Sequence, residues 1–415
     1  MPCASLWTDF HCMDVDKTRV YLQRSRSTPI NVWLERKSRL ARNDPFLQIA
    51  PHAISRLKYL SVRSTPDEFQ EIFQHLFLPA PLLEVLAIDG IYMNWNHNPT
   101  LAAELFDGDL SSLRELHLRF VRTELPWKNM SKLTSFSFSL SSTSGPTISI
   151  ENFLDFFESS PHLVEVKLFF GIMIPARQGE RFVGLKRLKR LSISGSQPPR
   201  LLLDHLIVPI GANVSTKFGS SGPRIEDHLP RSLDNLRNFS HFTKIRLRYE
   251  ILISVRFTGP NGQVSIASSS PCSFAQNTVP RSLAQLDTSK TRCLEIVNGG
   301  LTPELREAIA SLTNLHTLIL SKCTDYRNFL YRLSDLACPK LEELVIRTSG
   351  WERFDMTLMI CVADKRASEG TPLRLVKLFF GGNPVAVEEV VSLRELVGEV
   401  EISVEAHGED TDEEC

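Results

Sequence analysis

The sequence predicts an α/β fold: an open leucine-rich-repeat solenoid of degenerate repeats, with parallel strands on the concave face, helices or irregular segments on the convex face, and an inserted hairpin. Three observations carry that expectation. A phrase of one apolar residue, two others, an apolar residue, one other and an apolar residue recurs at Leu57/Leu60/Val62, Leu83/Leu86/Ile88, Leu113/Leu116/Leu118, Leu163/Val166/Leu168, Leu188/Leu191/Ile193, Leu315/Leu318/Leu320 and Leu341/Leu344/Ile346. Successive copies often start 20 to 32 positions apart, the spacing of one strand and one return segment stacked on the next such unit. Between the phrases, capping residues and prolines fall in the order helix, proline, strand.

Each phrase is a strand. Side chains alternate along an extended chain, so the fourth and sixth residues face a core while the third, fifth and seventh line the other side. Weaker copies at Leu133/Phe136/Phe138, Phe242/Ile245/Leu247, Thr291/Leu294/Ile296, Leu373/Val376/Leu378 and Val397/Val400/Ile402 fill much of the remaining length. Well-formed repeats place Asn or Cys three residues past the last apolar one, where it satisfies backbone groups in the turn. Only Cys323 follows that rule; Thr65, Ser141, Gly171, Ser196, Gly299, Ser349 and Gly381 hold the equivalent places. The motif Lys167-Leu168-Phe169-Phe170-Gly171 returns as Lys377-Leu378-Phe379-Phe380-Gly381, which points to common units.

The return segments carry helix starts. Thr65-Pro66-Asp67-Glu68 combines a capping hydroxyl, a proline at the first helical position and a glutamate placed to close a capping box. Thr302-Pro303-Glu304 is similar, and Ser149 is a third N-cap. Prolines at 81, 161 and 339 then lead into the next strand, because the residue before a proline is pushed out of the helical region.

Organisation follows from the period. Residues 1–56 read as an N-terminal segment and cap ahead of the repeats, 57–405 as the solenoid, and 406–415 as an acidic disordered tail. The period is disturbed over about 195–290, where 211–223 and 267–280, rich in Ser, Gly and Pro, are expected to be mobile loops. Between them, ILISVRF and QVSIA flank Gly259-Pro260-Asn261-Gly262, a hairpin signal.

Bulk composition narrows the function. A net charge of -1 from 47 basic and 48 acidic residues supplies no global field for nucleic acid or an anionic membrane, so protein partners are expected and nucleic acid and membrane are not. No run approaches the ~20 apolar residues of a membrane helix. The chain is expected to be a monomer in the cytoplasm, the nucleus or both. Its eight cysteines are scattered with no C-x-x-C pair, which argues against a zinc site or disulfide framework and for mostly buried thiols. Neither nucleotide, hydrolase nor zinc motifs occur, so no enzyme, cofactor or metal is expected. One alternative keeps a catalytic site in the irregular insertion, where His205, Asp227 and His228 are the clustered polar residues.

A solenoid presents a surface. The residues at outward phrase positions suited to a partner are His117, Arg119, Lys167, Lys244, Arg246, Arg248, Arg347 and Lys377. Lys244, Arg246 and Arg248 form a basic stripe on one strand. The run LKRLKR at 185–190 reads first as the solvated side of a core strand, and second as a basic patch.

Ser5-Leu6-Trp7 followed by VYLQRSRSTPI at 20–30 resembles the stretch just after the F-box in basidiomycete fungal F-box proteins with degenerate leucine-rich repeats. FDGDL at 106–110, RTELPW at 122–127, DFFES at 155–159 and FTGPNG at 257–262 are similar to the same family. The resemblance implies the substrate-recognition part of a cullin-type ubiquitin ligase receptor, whose F-box docks on a Skp-type adaptor. Adaptor docking is expected only where an upstream F-box exists, because this sequence carries only the trailing Leu6-Trp7. The alternative is an F-box-less leucine-rich-repeat scaffold with no ubiquitin role.

Overall fold

A computed structural model describes residues 4–11, 15–35, 53–91, 100–101, 105–123, 130–140, 149–171, 181–218, 225–236, 239–250, 253–268, 283, 286, 288–300, 302–323, 326–333, 338–348, 354–380 and 386–404. The chain is α/β with a large, mostly parallel sheet that does not close into a barrel. It divides into two compact units, 1–217 with 229–237 and 218–228 with 238–415.

In the first unit the strands are β1 (Asp9–His11), β2 (Ile30–Glu35), β3 (Leu57–Ser64), β4 (Val85–Gly90), β5 (Thr100–Leu101), β6 (Glu115–Arg119), β7 (Arg122–Thr123), β8 (Ser135–Ser139), β9 (Glu165–Phe170), β10 (Val183–Gly184), β11 (Arg190–Gly195), β12 (Leu206–Ile207) and β13 (Asn213–Phe218). The order β1-β2-β3-β4-β6-β8-β9-β11 is parallel throughout. Asn213 N–H donates to the Lys189 carbonyl at 2.8 Å, which brings β13 in after β11. The short pairs β5–β7 and β10–β12 lie outside this sheet.

Register follows the phrase. Its fourth residues align as Leu60, Leu86, Leu116, Phe136, Val166 and Leu191, and its sixth as Val62, Ile88, Leu118, Phe138, Leu168 and Ile193. All are buried. The helix Ile150–Ser159 covers this side, its Phe156 ring 4.3 Å from Phe136 and its Phe153 ring 5.8 Å from Phe138. Ser149 caps it by accepting from Asn152 N–H at 3.2 Å. The glutamate half of the expected capping box forms: Glu68 of the helix Pro66–Phe73 accepts from Thr65 N–H at 3.2 Å, and also from Ser64 Oγ at 2.6 Å.

The second unit carries β14 (Lys244–Tyr249), β15 (Ile253–Thr258), β16 (Gln263–Ser268), β17 (Cys293–Val297), β18 (Thr317–Ser321), β19 (Glu343–Arg347), β20 (Leu375–Phe380) and β21 (Glu399–Val404). The run β14-β17-β18-β19-β20-β21 is parallel, with Ile245, Leu294, Leu318, Leu344, Val376 and Val400 aligned and buried. The hairpin forms as expected, β15 against β16 with Gly259 N–H donating to the Gly262 carbonyl at 3.0 Å. It is also part of the sheet, because β15 pairs antiparallel with β14. Thr302 caps the helix Pro303–Ala310 by accepting from Leu305 N–H at 3.3 Å.

Turns after the strands repeat one backbone solution. Phe120, Asn298 and Lys322, each at the eighth phrase position, take positive φ of 54°, 55° and 52°. The N–H of each donates to the seventh-position carbonyl of the next strand: Ser139, Ser321 and Arg347. The Cys323 thiol donates to the Ile296 carbonyl at 3.4 Å, and the hydroxyl of Ser196 at the equivalent place donates to the Gly171 carbonyl at 2.7 Å.

Three expectations change. The sheet begins before Leu57, since β2 pairs in parallel with β3 and its Val32 and Leu34 are buried against the same core. The segment 211–223, expected to be a mobile loop, contains β13, whose Val214 and Thr216 are each 1% exposed; alternating β-branched residues outweighed the local Ser and Gly content. Of the four described cysteines only Cys338 is buried, Cys293 and Cys323 are intermediate and Cys361 is exposed, because helix position and not residue type places the Cys361 side chain. Residues 269–282 and the tail 405–415 lie outside the described residues.

Candidate functional site

The register that aligns the core rows also aligns the opposite rows. On the first unit the fifth positions run Ser61, Ala87, His117, Ser137, Lys167 and Ser192 across β3, β4, β6, β8, β9 and β11. None is buried. Small side chains therefore occupy most of the middle of this face. At its β1 end, His11, Trp33 and Tyr59 form a ring stack, with centroids 5.1 Å and 4.9 Å apart.

His117 and Arg119 stand on β6 and Lys167 on β9, and each faces a carboxylate. His117 Nε2 lies 3.5 Å from Glu115. Arg119 and Arg63 flank Asp89 at 3.7 Å and 3.8 Å; burial lifts the Asp89 carboxyl above its ordinary range despite those two cations. Glu165 accepts from Arg190 at 2.6 Å and Lys167 at 2.8 Å, and these bonds hold its carboxyl down to about 2.

The second unit differs. Of its outward positions, Glu295, Val297, Val345 and Leu375 are each under a tenth exposed, whereas Arg246, Ile319 and Lys377 are half-buried. Lys244 and Arg246 converge on Glu295 at 3.0 Å and 3.2 Å, while Arg248 pairs with Glu250 at 3.2 Å. The expected basic stripe is thus ion-paired with carboxylates. Arg347 lies over the Phe379 ring at 5.1 Å, and Lys377 pairs with Glu401 at 2.8 Å. Of the eight predicted residues, three belong to the first unit and five to the second.

Sequence reasoning missed the acidic partners, although the signal was present. Glu165 and Glu295 hold the third and fifth places of their phrases, and aligning phrases by position puts them beside Arg190 and Arg246.

The residues of the catalytic alternative fall in both units. His205, in the first unit, has Nδ1 at 3.0 Å from the Arg181 carbonyl. Asp227 and His228 belong to the second unit, where burial lowers the His228 pKa to about 4. Among the described residues no group of three or more His, Cys, Asp or Glu is arranged to hold a metal, and no helix is long and apolar enough to cross a membrane.

The fold and this face define an α/β protein whose mostly parallel sheet turns ordered rows of side chains outward. Compared with models of known protein families and with curated protein sequences, the chain matches none.

Proposed function

We propose that the chain is a non-catalytic protein-interaction module: an open solenoid of degenerate leucine-rich repeats, similar to the substrate-recognition part of an F-box receptor of a cullin-type ubiquitin ligase. The observation that supports it most is the unbroken row Ser61, Ala87, His117, Ser137, Lys167 and Ser192, small or polar side chains kept in register and out of the core. Side chains in such rows are free of packing duties, so their chemistry is available to a partner. The ubiquitin-ligase part of the reading rests on the family resemblance, and Skp-type adaptor docking on an upstream F-box.

The test adds bulk without removing a bond. Ser61→Arg with Ser137→Arg places two long charged side chains in the row while the aligned core stays intact. Binders selected from a displayed protein library against the native chain should lose at least tenfold in affinity for this variant, with the far-UV circular dichroism unchanged. Binders indifferent to the substitutions refute the face as the docking surface.

A further inference from the structure

One edge of the first unit carries cations that the face does not use. The residue leading into each strand, second in its phrase, bonds to the next through the backbone: Glu84 N–H to the Lys58 carbonyl, Arg114 to Glu84, Thr134 to Arg114, Val164 to Thr134, and Lys189 to Val164, all at 2.8 Å. This fixes Lys58, Glu84, Arg114, Thr134, Val164 and Lys189 as neighbours along one rim. Lys132, Lys186 and Arg187 precede these residues in the turns. Glu84 is the one carboxylate among those positions, and it lies 3.7 Å from Lys58. Arg114, Lys132, Lys186, Arg187 and Lys189 are exposed and make no salt bridge among the described residues.

A cavity of about 210 Å³ opens on this rim, lined by Lys58, Glu84, Arg114 and Lys132, with Pro29 and Leu82 as apolar walls. Leu82 is 44% exposed, and Phe77 and Leu78 nearby in sequence are 45% and 46% exposed. Apolar walls beside unpaired guanidinium and ammonium groups suit a carboxylate carried on a protein segment.

We infer that this rim binds an acidic peptide segment of a partner protein, with one acidic cluster seated in the cavity at Arg114 and Lys132 and a second at Lys186, Arg187 and Lys189. The inference rests on the reading of the chain as a protein-binding module and adds the chemistry of the partner. Geometry sets the spacing. Arg114 and Lys189 are three strand steps apart, ~14 Å at ~4.8 Å per step, which an extended peptide crosses in roughly four residues at ~3.3 Å each. Glu84 and the neutral Thr134 and Val164 interrupt the positive charge. A phosphodiester backbone, charged at every ~3.4 Å along a strand, meets no cation at Val164. A peptide with two acidic clusters places neutral residues there, and Lys58 offsets the charge of Glu84 beside the first cluster.

The probe is a fluorescein-labelled peptide with a Glu pair and a Glu triplet separated by four Gly/Ser residues, measured by fluorescence anisotropy on the full chain. Binding is expected at 50 mM NaCl, weakened at least tenfold at 300 mM, and lost when every Glu of the peptide is Gln. Arg114→Glu with Lys132→Glu, and separately Arg187→Glu with Lys189→Glu, should each weaken it at least fivefold while circular dichroism stays native. The inference is overturned by absent binding at 50 mM NaCl, by either reversal leaving affinity unchanged, or by a twelve-nucleotide oligo-dT binding as tightly as the peptide. Ser61→Arg with Ser137→Arg should leave peptide affinity unaltered. If the peptide binds but library binders ignore that face variant, the face reading fails alone; if face binders exist but the peptide does not bind, the rim fails alone.

Discussion

Glu295 makes the sharpest test of whether the cations on β14 serve a partner or the fold. It is 6% exposed, with Lys244 Nζ at 3.0 Å and Arg246 Nε at 3.2 Å. Breaking a fully buried pair costs about 3–5 kcal/mol, because a charge is left without compensation, whereas an exposed pair contributes about 0–1 kcal/mol. Here the carboxylate is buried but both cations are a third or more exposed, at 41% and 34% of their side chains. Arg246→Met leaves Lys244 in place, so it should cost about 1–2 kcal/mol, between those limits. Lys244→Met with Arg246→Met strands the carboxylate and should cost about 3–5 kcal/mol. Adding Glu295→Leu should recover most of that loss, because an apolar group of similar size needs no counter-charge. Urea unfolding followed by far-UV circular dichroism reads all three. The reasoning is refuted if the double variant stays within about 0.5 kcal/mol of the native chain, or if Glu295→Leu restores nothing. The same result bears on function: charge reversal at Arg246 and Arg248 would mix loss of stability with loss of binding, whereas Ser61 and Ser137 keep the two apart.

Phe136→Ala should destabilise by about 3–5 kcal/mol in the same urea assay, since the ring is fully buried and lies 4.3 Å from Phe156; a loss below about 1 kcal/mol would contradict the packing. His228 is held neutral, its pKa lowered by burial from 6.5 to about 4. The unfolded chain takes the proton first as pH falls, so stability is full above about pH 6.5 and declines towards pH 4 by about 3 kcal/mol. His228→Gln should flatten that interval, and an unchanged slope would remove His228 as its source. Glu165 acts at lower pH: with its carboxyl at about 2 instead of 4.5, its contribution is complete above about pH 4.5 and is lost as pH falls towards 2. Glu165→Gln should abolish this acid limb in thermal melts between pH 5 and 2.5, and a limb that survives would place it elsewhere.

Strand positions were legible because apolar spacing and burial are the same signal. Leu116 and Leu118 alternate with His117 and Arg119 in the sequence, and the core takes the first pair. Helix starts were legible where a side chain closes a local bond, as at Thr65 with Glu68 and at Thr302. β2 was missed although Ile30, Val32 and Leu34 alternate, because Val32 aligns with Leu60 and the first phrase position, counted back from it, holds Pro29. β13 was missed because Gly211, Ser215 and Gly219 masked two β-branched residues whose partner strand is far outside any local window. The candidate cations were found one at a time; Glu115 and Glu165 stand two residues before His117 and Lys167, but only register brings Arg246 beside Glu295 or Arg190 beside Glu165. The basic rim had a trace in LKRLKR, but its line along successive strands depends on backbone bonds that one phrase does not reveal.

The small residues of the outward row have an evolutionary consequence. Ser61, Ala87 and Ser137 contribute no side chain to the aligned core, so replacing any of them changes what the surface offers while costing the fold little. Mutations there are filtered by binding alone, whereas a change at Leu86 or Phe136 is first filtered by folding. A lineage of such chains could therefore exchange partners through single substitutions in one row, with each intermediate still a folded protein.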